Sequence, residues 1–248
     1  MNKIFVLTLF PDAVMGVLSD SIIGNAIQNG IVSIQCIQIR DYTLNRQAQV
    51  DDYPYGGGMG MLLMADPLYR AWSAAAEQCT HPHTILMSAR GIQYSQYHAK
   101  RLSLTDELIL VCGHYEGVDQ RFIDECVDEE ISIGDFVMTG GEIAALAVID
   151  SLCRLLPGVL ADESCYTDES HWAGTLEYPQ YTRPEVWHDR RVPDVLLSGH
   201  HENIRKWRRQ QSLRETKERR PDLFSKLQLT KEDQKLLREA ETNPYNPA

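Results

Sequence analysis

The residues able to do chemistry in this chain gather around two glycine-rich turns. One is Ser132-Ile133-Gly134-Asp135-Phe136-Val137-Met138-Thr139-Gly140-Gly141-Glu142, which follows a strand-like run and precedes a helical pattern. The other, Leu108-Ile109-Leu110-Val111-Cys112-Gly113-His114-Tyr115-Glu116-Gly117, lies about twenty residues earlier. Glycine has no side chain to hold a ligand away, so such turns let a flat molecule approach the backbone closely. Two of them at strand ends, in neighbouring α/β units, read as one small-molecule site. A third cluster, Asp51-Asp52-Tyr53-Pro54-Tyr55-Gly56-Gly57-Gly58-Met59-Gly60-Met61, has four glycines in five residues and either cradles phosphate through backbone N–H groups or forms a flexible surface loop. It is not a P-loop, because no Gly-Lys-Ser/Thr follows. No Gly-x-Gly-x-x-Gly follows the first strand-like run and no Gly-x-Ser-x-Gly elbow occurs, which removes the usual dinucleotide fingerprint and the simplest hydrolase.

Polar residues near these turns supply the catalytic candidates: Glu116, Arg154, Asp168, Glu169 and Ser170. Arg154 ends an apolar helical stretch from Ile143 to Leu156, so it is either a partly buried cation near a pocket or a helix-terminal cation facing water and the helix dipole. Asp168 and Glu169 fall in a polar, aperiodic segment, where a functional loop competes with a solvated one.

The elements that must position these groups alternate. Strands are expected at 3–9, 31–39, 84–87 and 108–112, each a short run rich in Ile, Val and Leu. Helical patterns lie near 66–78, 95–102, 118–126 and 141–155, the first opened by Asp66-Pro67 as N-cap and first helical residue. This βα alternation predicts an α/β fold with a mostly parallel sheet covered by helices on both faces. Ligands in such sheets bind at the carboxyl ends of strands, where both glycine turns fall. The expected organisation is an α/β domain over 1–160, a flexible linker over 161–180, and a helical, charge-rich domain over 181–248.

At 248 residues the chain is long enough for one large or two modest domains. The cysteines (Cys36, Cys79, Cys112, Cys126, Cys153 and Cys165) are scattered, with neither a CxxC pair nor Cys/His ligand spacing, so reduced thiols are expected rather than disulfides or a metal site. The opening run Ile4 to Phe10 is too short for a membrane span and lacks a small-residue cleavage site, which predicts a first buried strand in a cytoplasmic protein with no membrane partner. The net charge of −11 conceals an asymmetry. Residues 106–135 carry ten acidic residues and one basic, whereas 201–220 carry eight basic and three acidic. The basic run, through Arg205, Lys206, Arg208 and Arg209 with Trp207 interleaved, suits a polyanion or is a solvated helix face.

Several blocks together carry a resemblance. Val50-Asp51-Asp52-x-Pro54-Tyr55-Gly56-Gly57-Gly58-x-Gly60-Met61, Leu110-Val111-Cys112-Gly113-x-Tyr115-Glu116-Gly117 and Asp128-Glu129-Glu130-x-Ser132-Ile133-Gly134-Asp135 resemble the bacterial tRNA (guanine-N1)-methyltransferases. So do Pro157-Gly158-Val159-Leu160, Tyr181-Thr182-Arg183-Pro184-Glu185 and Leu196-Leu197-Ser198-Gly199-His200-His201, in order along almost the whole chain. The resemblance implies the SPOUT fold, a parallel-sheet domain with a deep trefoil knot corresponding to about 84–141 here, plus a small all-helical C-terminal domain that helps hold the tRNA. It implies S-adenosylmethionine as methyl donor, a homodimer with a shared active site, supportive Mg2+, and as target the guanosine immediately 3′ of the anticodon, favoured when another guanosine precedes it.

By the same resemblance Leu86, Ser88, Gly113, Tyr115, Glu116, Gly117, Ile133, Gly134, Asp135, Phe136, Val137, Met138, Gly140 and Gly141 would line the donor pocket. Phe136 stands where the family commonly has tyrosine, and Ala144 where it has proline. The family places an aspartate base before serine in an Asp-Ser-Phe setting, and this chain reads Asp168-Glu169-Ser170-His171. Aligning back from Tyr181-Thr182-Arg183-Pro184 without gaps puts Glu169 at the base position, with Asp168 as rival if the linker slips by one. Arg154 matches the family's arginine and would face the guanine O6 or the RNA backbone. Ser170, Arg183, Arg205, Arg208 and Arg209 would meet the RNA. Competing readings are a related knotted enzyme acting on ribosomal RNA or a ribose hydroxyl, a non-catalytic RNA-binding protein of the same fold, and a nucleotide-binding metabolic enzyme.

Overall fold

The computed structural model describes residues 2–162 and 164–242; Met1, Glu163 and residues 243–248 lie outside the described residues, the last two falling in the expected linker and C-terminal domain. The chain divides into two compact units, Met1–Asp162 and Glu163–Ala248. In chain order the first unit contains β1 (Asn2–Thr8), α1 (Pro11–Leu18), α2 (Ser21–Gln28), β2 (Val32–Gln38), β3 (Asp51–Asp52), β4 (Leu62–Leu63) and α3 (Ala65–Ala76). It continues with β5 (His83–Gln93), α4 (Gln96–Leu102), β6 (Glu107–Cys112), α5 (Gln120–Cys126), β7 (Glu129–Ser132) and α6 (Glu142–Cys153).

Five strands form one sheet in the order β2-β1-β6-β5-β7, with every pairing parallel. Its central strands are apolar at consecutive positions because both faces are buried. Alternate residues feed opposite cores. Ile4, Val6, Ile85 and Leu110 pack with Val14 of α1, Leu102 of α4 and Val148 and Leu152 of α6. Phe5, Leu7, Leu86, Ile109 and Val111 pack with Leu68 and Ala71 of α3 and Phe122 of α5. This is the expected α/β architecture with helices on both faces of a parallel sheet.

Two helices had no signal in the periodicity. α1 and α2 are eight residues each and contain Gly16 and Gly24, too short for a 3.6-residue pattern to stand out. β5 extends well past the expected 84–87, because Met87 and Ile92 both register against Ile131 and residues 88–91 bulge out between them. The strand-like run before the second glycine turn is β7. It begins Glu129-Glu130 at the sheet edge, and Glu129 is accommodated there by Arg101, whose Nη2 donates to both its carboxylate oxygens at 2.6 and 2.8 Å, and by His83 Nε2 at 2.8 Å. Burial pushes the Glu129 carboxyl up, but these hydrogen bonds outweigh it and hold the group below its usual range.

The second unit contains α7 (Ser164–Thr167), β8 (Val186–Trp187), β9 (Arg190–Arg191), α8 (Asp194–Leu197), α9 (His201–Arg219), α10 (Pro221–Phe224) and α11 (Lys231–Thr242). It is not all-helical, because β8 and β9 form a short antiparallel ladder. His188 and Asp189 turn between them at φ 48° and 63°, the left-handed geometry that a two-residue hairpin demands. Within the expected linker, Thr175 is buried, and Leu176 donates its N–H to Thr216 Oγ1 at 2.8 Å and accepts from Ser212 Oγ at 2.5 Å.

α9 and α11 are joined by a two-pronged ion pair. Arg209 Nε and Nη2 donate to the Asp233 carboxylate at 2.7 and 3.1 Å. Thr230 caps α11, its N–H donating to Asp233 Oδ2 at 3.0 Å while Asp233 N–H donates back to Thr230 Oγ1 at 3.1 Å. Asp233 is only 3% exposed, and the Arg209 hydrogen bonds, helped by Thr230, hold its carboxyl down at about 2 despite burial. A carboxylate depressed from about 3.9 stabilises the fold in full above that value and loses this as pH falls. Asp233→Asn should therefore cost roughly 2 kcal/mol near neutrality. Chemical denaturation across pH should show the gap to wild type closing between about pH 4 and pH 2; a gap independent of pH would contradict the assignment.

Candidate active site

A cavity of about 470 Å³ opens at the carboxyl ends of β5 and β6, a volume suited to one small ligand. Its geometry rests on close backbone approach. The bridge His114–Gly140 and the hydrogen bond from Gly141 N–H to Gly113 O (2.9 Å) bring the two glycine turns side by side. A Cβ on Gly141 would lie 2.8 Å from Cys112 Cα, 3.0 Å from Met87 Cβ and 3.1 Å from Gly113 N, so no other residue fits without moving the sheet ends. At Gly140 a Cβ would collide with the His114 ring.

Glu142, the first residue of α6, clamps this junction. One carboxylate oxygen accepts from Thr8 Oγ1 at 2.6 Å and the other meets His114 Nε2 at 2.7 Å. Thr8 is fully buried at the end of β1, and the His114 and Glu142 side chains are nearly so. The carboxylate also sits in the first turn of α6, where the helix dipole favours negative charge. Behind the junction, burial pushes the Cys112 thiol well above its ordinary range, with Glu142 adding to the effect, so this sulfur stays protonated and is no nucleophile.

The opposite wall is the turn after β7. Ser132 Oγ donates to Gly134 O at 2.9 Å and accepts from Gly134 N–H at 3.2 Å, and Phe136 N–H donates to Gly134 O at 2.9 Å. Phe136 and Val137 are exposed at 55% and 86%, apolar side chains at the cavity rather than in the core. Tyr115 sits at φ +60°, unusual for a residue with a side chain, and backbone held there tends to mark functional turns. Arg40 Nη2 donates to its hydroxyl at 3.4 Å, and the next residue, Glu116, donates its N–H to Met61 O at 2.9 Å, tying the third glycine cluster to this turn.

The cavity gathers most of the residues expected around a donor. Leu86, Ser88, Gly113, Tyr115, Glu116, Gly117, Ile133, Gly134, Phe136, Val137, Met138, Gly140 and Gly141 line it; Asp135 is exposed and does not. Arg154, half-buried, caps the carboxyl end of α6 and is not among the lining residues. His114, Arg90 and Gln120 line the cavity without having been singled out. Arg90 Nη2 donates to Gln120 Oε1 at 3.3 Å and pairs with Glu130 at 3.4 Å, contacts across 30 and 40 residues that leave no local pattern.

The carboxylates expected in catalysis belong to the second unit. Asp168 is exposed, while Glu169 is half-buried and fixed by its backbone: its N–H donates to Tyr166 O at 3.4 Å and its O accepts from Trp172 N–H at 3.3 Å. The Tyr166 and Trp172 rings pack 4.8 Å apart beside it. Ser170 Oγ accepts from Glu177 N–H at 2.9 Å. Of the cations expected to meet RNA, Arg205 pairs with Glu202 and Glu232, both at 3.0 Å, and Arg209 with Asp233, whereas Arg208 lies over the Tyr178 ring at 4.8 Å and Arg183 is exposed.

The model of a protein family described as tRNA (Guanine-1)-methyltransferase TrmD matches residues 2–226. A tRNA (guanine-N(1)-)-methyltransferase of Clostridium perfringens is 56% identical over 236 residues, 95% of this chain and 99% of the relative. Proteins of the same description from Clostridium acetobutylicum and Ruminiclostridium cellulolyticum are 51% and 53% identical, over 96% and 91% of this chain and 98% and 97% of their own. Agreement of this extent, across both units and both glycine turns, shows that the chain belongs to the tRNA (guanine-N1)-methyltransferase family.

Proposed function

We propose that this protein transfers a methyl group from S-adenosylmethionine to N1 of the guanosine immediately 3′ of the anticodon in tRNA, with Glu169 as general base. Family membership makes it a tRNA (guanine-N1)-methyltransferase; the donor, the position and the base are the finer reading. The observation that carries it is the cavity at the ends of β5 and β6, which both glycine turns line. Its volume fits an adenine-bearing donor, with Leu86, Ile133 and Met138 as apolar contacts. When bound, that donor supplies an electrophilic methyl on a sulfonium.

The chain's own residues then have one task each. Guanine N1 carries a proton at neutral pH, and its lone pair is unavailable until a carboxylate removes that proton. Glu169 takes it; the freed pair bonds to the methyl carbon as the S–C electrons return to sulfur. Arg154 opposes the negative charge that develops on O6. Asp168 is the rival base. The return of the chain from β7 to the ends of β6, through the His114–Gly140 bridge, supports a trefoil knot over about 84–141. A cytoplasmic homodimer with a shared active site belongs to the same reading; no helix among the described residues is long and apolar enough to cross a membrane. The described residues contain no group of three or more His, Cys, Asp or Glu that could hold a metal ion; supportive Mg2+ belongs to the same reading.

Labelled S-adenosylmethionine should mark a tRNA transcript carrying guanosine after a G-ending anticodon, recovered as 1-methylguanosine, and not a transcript with adenosine there. Label on both would move the target elsewhere. Glu169→Gln should lower kcat by about 100-fold or more, while Asp168→Asn changes it little; the opposite ranking would transfer the role to Asp168. Gly141→Ala should weaken donor binding at least tenfold by calorimetry and lower stability by about 1–3 kcal/mol. Unchanged affinity would place the donor elsewhere.

A further inference from the structure

The donor that the proposed function calls for is a zwitterion. Beyond its adenosine it carries a sulfonium, an ammonium and a carboxylate. The sulfonium takes part in methyl transfer, and the carboxylate needs a cation or water. Among the described residues that line the first unit's cavity, Arg90 is the only lysine or arginine. His114, the other basic group there, is engaged by Glu142 at 2.7 Å.

Arg90 reaches the cavity because β5 breaks there. Residues 88–91 bulge out between Met87 and Ile92, both of which register against Ile131. Gly91 crosses so close to β7 that a Cβ on it would lie 2.4 Å from Glu130 C and 2.5 Å from Glu130 O. Within the bulge, Arg90 N–H donates to Ser88 Oγ at 3.2 Å. The Arg90 side chain is 65% exposed and loosely held. Its Nη2 makes only long contacts, 3.3 Å to Gln120 Oε1 and 3.4 and 3.5 Å to the Glu130 carboxylate. Nε and Nη1 have no acceptor among the described residues, so the guanidinium keeps donors for a ligand. A guanidinium presents those donors as a planar fork that matches a carboxylate. A long, exposed ion pair such as that with Glu130 is weak, so a ligand carboxylate can draw the fork toward the cavity at little cost.

We propose that Arg90 is the anchor for the donor's carboxylate, a specificity-determining residue that holds the amino-acid arm of S-adenosylmethionine at the bulge of β5. The inference rests on the donor reading above. An RNA phosphate is the competing anion, but Arg90 belongs to the lining of a cavity suited to one small ligand. Arg90 meets the donor away from the sulfonium methyl, so it sets affinity and selects donors that bear the carboxylate. It takes no part in bond making.

The test is calorimetric binding to the full chain of S-adenosylmethionine and of decarboxylated S-adenosylmethionine, which keeps the adenosine, sulfonium and ammonium and lacks only the carboxylate. Wild type should bind the decarboxylated compound about tenfold or more weakly than its parent. Arg90→Gln should bind the two within about twofold of each other, the coupling that a direct contact requires. Arg90→Lys, which keeps the charge without the fork, should restore part of the preference. In methyl transfer, Arg90→Gln should raise KM for the donor about tenfold or more, with kcat at saturating donor and KM for tRNA within about twofold of wild type. A preference for the carboxylate that survives in Arg90→Gln overturns the anchor. So does an equal loss of affinity for both compounds, which would make Arg90 a structural residue. A rise in KM for tRNA alone overturns it in favour of a phosphate contact. Wild type that binds the two compounds equally overturns the anchor and leaves the proposed function standing, whereas wild type that binds neither removes the donor reading and the anchor with it.

Discussion

Everything in the first unit's cavity depends on how closely the backbone at Gly140 and Gly141 lies against Cys112 and Gly113. The contact is shorter than any side chain permits, and Glu142 holds it closed by bridging Thr8 at the end of β1 to His114 after β6. A carboxylate in hydrogen bonds of 2.6 and 2.7 Å, largely out of water, makes a stiffer joint than apolar contact alone. Because α6 begins at the clamp, its apolar face is set against Ile4, Val6 and Leu110 in the same act. Sheet, helix and cavity floor are therefore one mechanical assembly rather than a scaffold with a site added to it.

Much of this was legible in the sequence, for stated physical reasons. Buried parallel strands leave dense runs of Ile, Val and Leu, so β1 and β6 announced themselves. The glycine turns were visible because the close approach admits no other residue. What was hidden is instructive. His114 and Glu142 are 28 residues apart, and neither stands in a local pattern that pairs them. β7 carries two glutamates, and the partners that make them tolerable, Arg101 and His83 for Glu129 and Arg90 for Glu130, lie far away in the chain. α1 and α2 were too short to show a period.

The second unit illustrates the same limit for charge. Read along the chain, residues 201–220 look like an unshielded basic face. In three dimensions Glu232 and Asp233 arrive from α11 and pair with Arg205 and Arg209, while Arg208 between them lies over the Tyr178 ring with no carboxylate partner among the described residues. Arg183 has no carboxylate partner among the described residues, while Arg209, in the middle of the run, is part of the packing that fixes α11 to α9. Counting charges in a window thus measures composition, and pairing decides which of them a partner meets.

That pairing has a consequence for how the surface responds to ions. A phosphate that draws Arg205 away from Glu202 leaves the carboxylate bare beside it, so each new attraction brings a repulsion with it. Such an exchange displaces fewer condensed counterions than contact with an unpaired cation, whose slope of log affinity against log salt is roughly 0.9 per phosphate. A paired arginine of α9 therefore exchanges one anionic partner for another, and the steeper salt dependence belongs to guanidinium groups with no carboxylate partner among the described residues.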